Sequence, residues 1–211
     1  MVLQADTIKT VLSGHKRVIM APGPVPAAVL LPLFEKNGRW HILFTKRAEH
    51  LNHHRGEISF PGGVCQPEDP SPLETALRET WEEVGIPPDQ VNVLGVLDDA
   101  YSIYNYLVTP YVGIFPSTCT LMPNKAEIDR VIEIPLDHLC RPDIFRSENW
   151  AWQGRKQPVY FYAYKGEEVW GLTAAILKQF LELVFPKQHR HETIPNGSQA
   201  KNQEERCMTA S

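Results

Sequence analysis

A chain of 211 residues, of which 43% are apolar and 22% charged, can bury one substantial core and does not have the composition of a disordered or membrane-embedded protein. Its formal net charge of −4, with basic residues dispersed, excludes a broadly basic nucleic-acid surface. A polyanionic ligand would therefore need positive charge from elsewhere, and divalent cations are the obvious source. In chain order, Met1 to Asp6 lacks a basic segment followed by an apolar run, so the protein is expected to remain in the cytoplasm. Asp6 to Leu12 reads as a short capped helix, and the prolines and glycine from Ala21 to Pro26 argue against regular structure there. Ala27 to Phe34 and Trp40 to Thr45 are apolar runs joined by Glu35-Lys36-Asn37-Gly38, the signature of a hairpin. Ser71-Pro72-Leu73-Glu74 opens a helix that runs to Val84, where Gly85 and then Pro87-Pro88 end it. Val91 to Leu97, Val108 to Phe115, Arg130 to Ile134 and Pro158 to Tyr164 read as strands, and Thr173 to Val184 as an amphipathic helix. From Lys187 the chain is almost devoid of apolar residues and is expected to be a disordered tail. The expected organisation is a lead-in over residues 1–26, one domain over 27–186, and a tail over 187–211.

No apolar stretch is long enough to span a bilayer. Cys65, Cys119, Cys140 and Cys207 have neither the paired spacing of a zinc site nor that of a disulfide framework, so they read as free thiols.

The most informative stretch is Arg78-Glu79-Thr80-Trp81-Glu82-Glu83-Val84-Gly85. At about 100° per residue, Glu79, Glu82 and Glu83 fall within roughly a 100° arc, while Leu73, Leu77, Thr80 and Val84 form a separate packing stripe. A plain solvated face would not require Glu79 and Glu83 four residues apart, where like charges destabilise a helix. A bound divalent cation turns that repulsion into a shared set of oxygen ligands. Arg78 and Glu82 are spaced to form an ion pair that holds Glu82 beside the other two. Upstream, Phe60-Pro61-Gly62-Gly63 enters a turn-rich segment whose backbone can approach a metal or phosphate closely.

These residues resemble the Nudix box: a Gly, five residues, a Glu, seven residues, then Arg-Glu, an aliphatic, any residue, Glu-Glu, any residue, Gly and an aliphatic. Gly63, Arg78, Glu79, Glu82, Glu83, Gly85 and Ile86 fill their positions. Asp69 stands where the first Glu belongs and is followed by one residue more than the pattern has, and Thr80 replaces the aliphatic. Leu43-Phe44-Thr45-Lys46-Arg47-Ala48, Gly56 and Phe60-Pro61-Gly62-Gly63 resemble a second pattern, found in the coenzyme A diphosphatase branch of that family, with Asn52 in place of an Arg. Thr109 to Gly113, Asn124 to Leu136 and Trp170 to Ala174 are also similar to that branch.

The resemblance implies an α/β Nudix fold, a mixed β-sheet sandwiched between α-helices. It also implies Mg²⁺- or Mn²⁺-dependent hydrolysis of coenzyme A to phosphopantetheine and adenosine 3′,5′-bisphosphate. Glu79 and Glu83 are the expected principal ligands, with Glu82 accessory and the Gly62 carbonyl a further candidate. Glu83 and Glu127 are alternative general bases, and Arg78 joins them as a candidate catalytic group. Arg47, Asn52 and Gly63 are expected at the substrate. The expected partner is a small nucleotide substrate, with no nucleic acid and no membrane, in a monomer or homodimer. A Nudix hydrolase of ADP-ribose or a nucleoside triphosphate, and a non-catalytic binding module on the same scaffold, remain alternatives.

Overall fold

The computed structural model describes residues 4–21, 25–51, 55–152 and 155–186. Asn52 and the tail from residue 187 therefore lie outside the described residues, and so do the expectations placed on them. The elements are α1 (Ala5–Gly14), β1 (Val25–Lys36), β2 (Arg39–Arg47), β3 (Ile58–Ser59), β4 (Gly62–Val64), α2 (Pro72–Val84), β5 (Asn92–Val96), β6 (Ala100–Tyr101) and β7 (Tyr106–Ile114). They continue through β8 (Ile128–Pro135), the short α3 (Leu136–Leu139), β9 (Phe145–Trp152), β10 (Arg155–Tyr164), β11 (Glu167–Trp170) and α4 (Gly171–Val184).

The β1–β2 hairpin forms as its sequence predicts. Lys36 pairs with Arg39, and the two residues between them, Asn37 at φ 53° and Gly38 at φ 72°, adopt the left-handed conformations of a tight hairpin turn. β1 then becomes the centre of the main sheet, antiparallel to β2 and β4 and parallel to β7, which makes the sheet mixed. Pro32 is accommodated within it because β4 pairs only as far as Val29 on that side and β2 begins at Leu33, so no ladder donor is needed between them.

Alternation along β1 creates two apolar faces. Ala27, Leu31 and Leu33 join Ile8 and Leu12 of α1 and Leu177, Phe180 and Leu181 of α4. On the other face, Ala28 and Leu30 pack with Ala76 and Leu77 of α2, and Phe34 with Val84 and Ile86. The sheet thus lies between helices, and the inner strand is apolar on both sides, as a doubly covered strand must be.

Three features differ from the sequence expectation. Val25 and Pro26 begin β1, where irregular structure was expected; proline is tolerated near a strand's first residue, and the Pro26 carbonyl accepts from the Cys65 N–H at 2.9 Å. The lead-in shares the core, since Ile8 is 0% exposed and a Cβ on Gly95 of β5 would lie 2.7 Å from Leu12 Cβ. The following segment is pinned by two adjacent acids: Asp98 accepts from Val18 N–H at 2.8 Å, and Asp99 accepts from Met20 N–H at 3.1 Å and Arg17 Nη2 at 2.5 Å. Finally, β9, β10 and β11 form a separate three-stranded antiparallel sheet, of which only β10 is readable as a strand from sequence. Four consecutive polar residues, Arg146 to Asn149, occupy the middle of β9, and its register places Phe145 beside Tyr162 against the main core.

Candidate active site

The site is built on α2, and α2 starts where the sequence predicts. Ser71 Oγ accepts the Glu74 N–H at 3.3 Å, Pro72 takes the first helical position, and Gly85 ends the helix at φ 79°. Its packing stripe anchors one face, with Thr80 among the buried residues. The Thr80 hydroxyl donates to the Ala76 carbonyl at 2.6 Å, so replacing the expected aliphatic leaves no unsatisfied group.

Asp69 organises Arg78. Its two carboxylate oxygens accept from Arg78 Nε and Nη2, each at 2.9 Å, in a two-pronged pair. Oδ2 also accepts from the Gln66 N–H at 2.9 Å and the Thr75 hydroxyl at 2.8 Å. The Arg78 hydrogen bonds, followed by the Gln66 N–H, hold the Asp69 carboxyl well below the usual carboxylate range. Nη1 of the same Arg78 donates to Glu79 at 2.8 Å and to Glu82 at 3.0 Å. The expected Arg78–Glu82 pair therefore forms, but it is one arm of a larger lock. Arg78 thus donates to three carboxylates, those of Asp69, Glu79 and Glu82. Sequence reading missed the role of Asp69 by treating it as a departure from the box; the signal was its acid character at the position where the box itself has an acid.

The three helix carboxylates differ in environment. Glu82 is half exposed, at 51% of its side chain. Glu79 is largely covered, and burial raises its pKa despite the Arg78 hydrogen bond, with Glu82 and Glu127 adding repulsion. Glu83 is only 4% exposed. Burial pushes its carboxyl up to about 8; Glu79 and Glu127 push the same way, while Arg47 and the Gly62 N–H, which donates to it, oppose them. Glu83 Oε2 is buried without a hydrogen-bond partner, and so is Nε of Arg47.

Neighbouring elements bring the remaining residues. The β2–β8 register shifts between Lys46 and Arg47, and the charge of Arg47 is felt by Glu83. Gly62 and Gly63 pair with Val29 and Ala28 as part of β4, a strand rather than the turn expected. A Cβ on Gly63 would lie 2.5 Å from the Glu79 carboxyl carbon, so the bare backbone is the cradle in which that carboxylate rests. Glu127 sits on an exposed turn just before β8, and its charge is felt by both Glu79 and Glu83.

The structure thus brings together Arg47, Gly62, Gly63, Arg78, Glu79, Glu82, Glu83 and Glu127. Among the described residues, no three acidic, histidine or cysteine side chains already close on one point. The donor set nevertheless fits a hard divalent cation: a buried carboxylate oxygen without a partner, two carboxylates that repel one another, and glycine backbone beside them. A cavity of about 310 Å³ between β8 and the β10–β11 turn, lined by Arg130, Glu133, Tyr164, Lys165 and Glu167, includes none of these carboxylates, and Lys46 and Arg130 both bind Glu167 there.

Comparison with known proteins agrees with the geometry. Residues 24–154 match the NUDIX domain. The chain is 42% identical over 158 residues to a protein of Photorhabdus laumondii named Uncharacterized Nudix hydrolase NudL, covering 75% of this chain and 84% of that one. A protein of the same name from Yersinia enterocolitica is 39% identical over 158 residues, covering 75% and 80%. A domain match across more than half of the chain, joined to relatives of this identity and coverage, settles the family: this chain belongs to the Nudix hydrolase family.

Proposed function

We propose that this Nudix hydrolase of a nucleoside diphosphate derivative cleaves the diphosphate of coenzyme A or its derivatives to phosphopantetheine and adenosine 3′,5′-bisphosphate. The observation that carries the reading is where the two described parts of the segment from Leu43 to Gly63, residues 43–51 and 55–63, lie in the fold. This is the stretch whose pattern resembles the coenzyme A diphosphatase branch, and it delivers Arg47, Gly62 and Gly63 to the helix carboxylates.

Mg²⁺ or Mn²⁺ would be held by Glu79 and Glu83, with Glu82 accessory and the Gly62 carbonyl beside them. Bound there, the cation supplies the positive charge that a diphosphate needs before water attacks phosphorus. Asp69 fixes Arg78, and Arg78 fixes Glu79 and Glu82, so the ligand oxygens are oriented before substrate arrives. Arg47, whose buried Nε has no partner and whose charge Glu83 feels, donates to a phosphate oxygen. Glu83 would serve as a ligand of the cation rather than as the base. Glu127, exposed on its turn and free to carry a proton away to solvent, accepts the proton from the attacking water at its carboxylate.

The test is hydrolysis of coenzyme A, ADP-ribose and a nucleoside triphosphate in parallel, each with Mg²⁺ and with Mn²⁺. Coenzyme A should give the highest kcat/KM, with the two named products in equal amounts. Preferential cleavage of ADP-ribose or the triphosphate would overturn the substrate assignment, and inertness toward all three would favour a binding module.

A further inference from the structure

Beyond the box, one residue ties the two acids of the proposed reaction together. The Asn124 N–H donates to the Glu83 carbonyl at 2.9 Å, one of the last carbonyls of α2, which the helix itself leaves unpaired. The Asn124 carbonyl accepts from the Glu127 N–H at 3.0 Å and the Ile128 N–H at 2.8 Å. Its side chain completes the link: Oδ1 accepts from the Ala126 N–H at 3.2 Å, and Nδ2 reaches Glu127 Oε1 at 3.5 Å. A second clamp closes the turn from the other side, where the Ala48 N–H donates to the Glu127 carbonyl at 2.8 Å and His50 Nε2 meets the Ala126 carbonyl at 3.1 Å.

We infer that Asn124 is a positioning residue that sets the Glu127 carboxylate relative to Glu83. The inference rests on the proposed role of Glu127 as proton acceptor. The backbone bonds hang the turn from the end of α2. The side chain holds the turn through the Ala126 N–H, and its Nδ2 beside Glu127 Oε1 narrows the rotamers that an exposed glutamate would otherwise sample. The side-chain bonds are local to the turn and do not contribute to the core, so the fold survives their loss.

The test is a double-mutant cycle on the full chain, with coenzyme A as substrate and ADP-ribose if coenzyme A is inert. Asn124→Ala should lower kcat about tenfold with little change in KM, and Glu127→Gln should lower it on the order of 100-fold. In the Glu127→Gln background, Asn124→Ala should add almost nothing. Hydrogen exchange at the Ala126 amide gives a readout independent of turnover: it should accelerate in Asn124→Ala and stay slow in Asn124→Asp, which keeps the acceptor oxygen. A full tenfold loss in the Glu127→Gln background, or unchanged exchange at Ala126 in Asn124→Ala, would overturn the positioning role while leaving Glu127 in place. Normal turnover in Glu127→Gln alone would instead remove Glu127 from the reaction, and the role of Asn124 with it.

Discussion

Glu83→Gln is expected to abolish turnover and, in the absence of metal, to make the protein harder to unfold. The two effects have one cause. The Glu83 carboxyl is buried, its Oε2 lacks a partner, and Glu79 and Glu127 repel its charge, so its pKa stands at about 8. Between the ordinary carboxylate value and about 8, the folded metal-free protein holds a proton that the unfolded chain releases. The Glu83 contribution is therefore fully favourable below the unfolded value and is lost as pH rises through the folded one. Glutamine cannot ionise, and above pH 8 it spares the fold a buried charge that Arg47 and the Gly62 N–H offset only in part, at a cost on the order of 1–3 kcal/mol. The metal-free variant should melt several degrees above the wild type at pH 9, with the difference vanishing toward pH 4. Divalent cation should raise the melting temperature of the wild type and have a much smaller effect on the variant. Equal melting of the two metal-free proteins at pH 9, or turnover near normal in the variant, would show that Glu83 is an ordinary surface-compatible acid.

The adjacent glycines should respond to alanine in opposite ways. A Cβ on Gly62, at φ 156°, would lie 2.4 Å from the Ala28 carbonyl oxygen and 2.6 Å from Val29 Cα, both fixed backbone of the central strand. The strand cannot yield, so Gly62→Ala should destabilise the fold by roughly 1–3 kcal/mol, read as a lowered denaturation midpoint. At Gly63 the obstructing atoms belong to the Glu79 carboxylate, the mobile end of a side chain. Gly63→Ala should therefore melt near the wild type but lose activity on the order of 100-fold, since a ligand moved by about 1 Å no longer serves the reaction. Comparable stability losses in both variants would mean that Gly63 is a packing residue and not the cradle of Glu79.

These contrasts mark what sequence could and could not reveal. The hairpin at Asn37-Gly38, the cap at Ser71 and the stop at Gly85 are encoded by adjacent residues and appear where they are expected. The three carboxylates on one arc were legible from helical periodicity alone. Their unequal burial was not, because it depends on which neighbouring strand covers each one: β4 presses on Glu79, and Glu83 faces Arg47 from the irregular end of β2. The role of Asp69 required knowing that the loop before α2 folds back on Arg78. Strand β9 escaped notice because its residues Arg146, Ser147, Glu148 and Asn149 have no apolar alternation; pairing with β10 defines it, and that is a non-local property.

The most direct measurement of the central claim is a Mn²⁺ titration, followed by the paramagnetic signal of the free ion, on the wild type and on the Glu79→Gln/Glu83→Gln double variant. The wild type should bind the ion saturably at neutral pH, in competition with Mg²⁺, and the double variant should lose that binding while keeping its fold. Equal Mn²⁺ affinity in the two proteins would place the metal elsewhere and contradict the assignment of these carboxylates as its ligands.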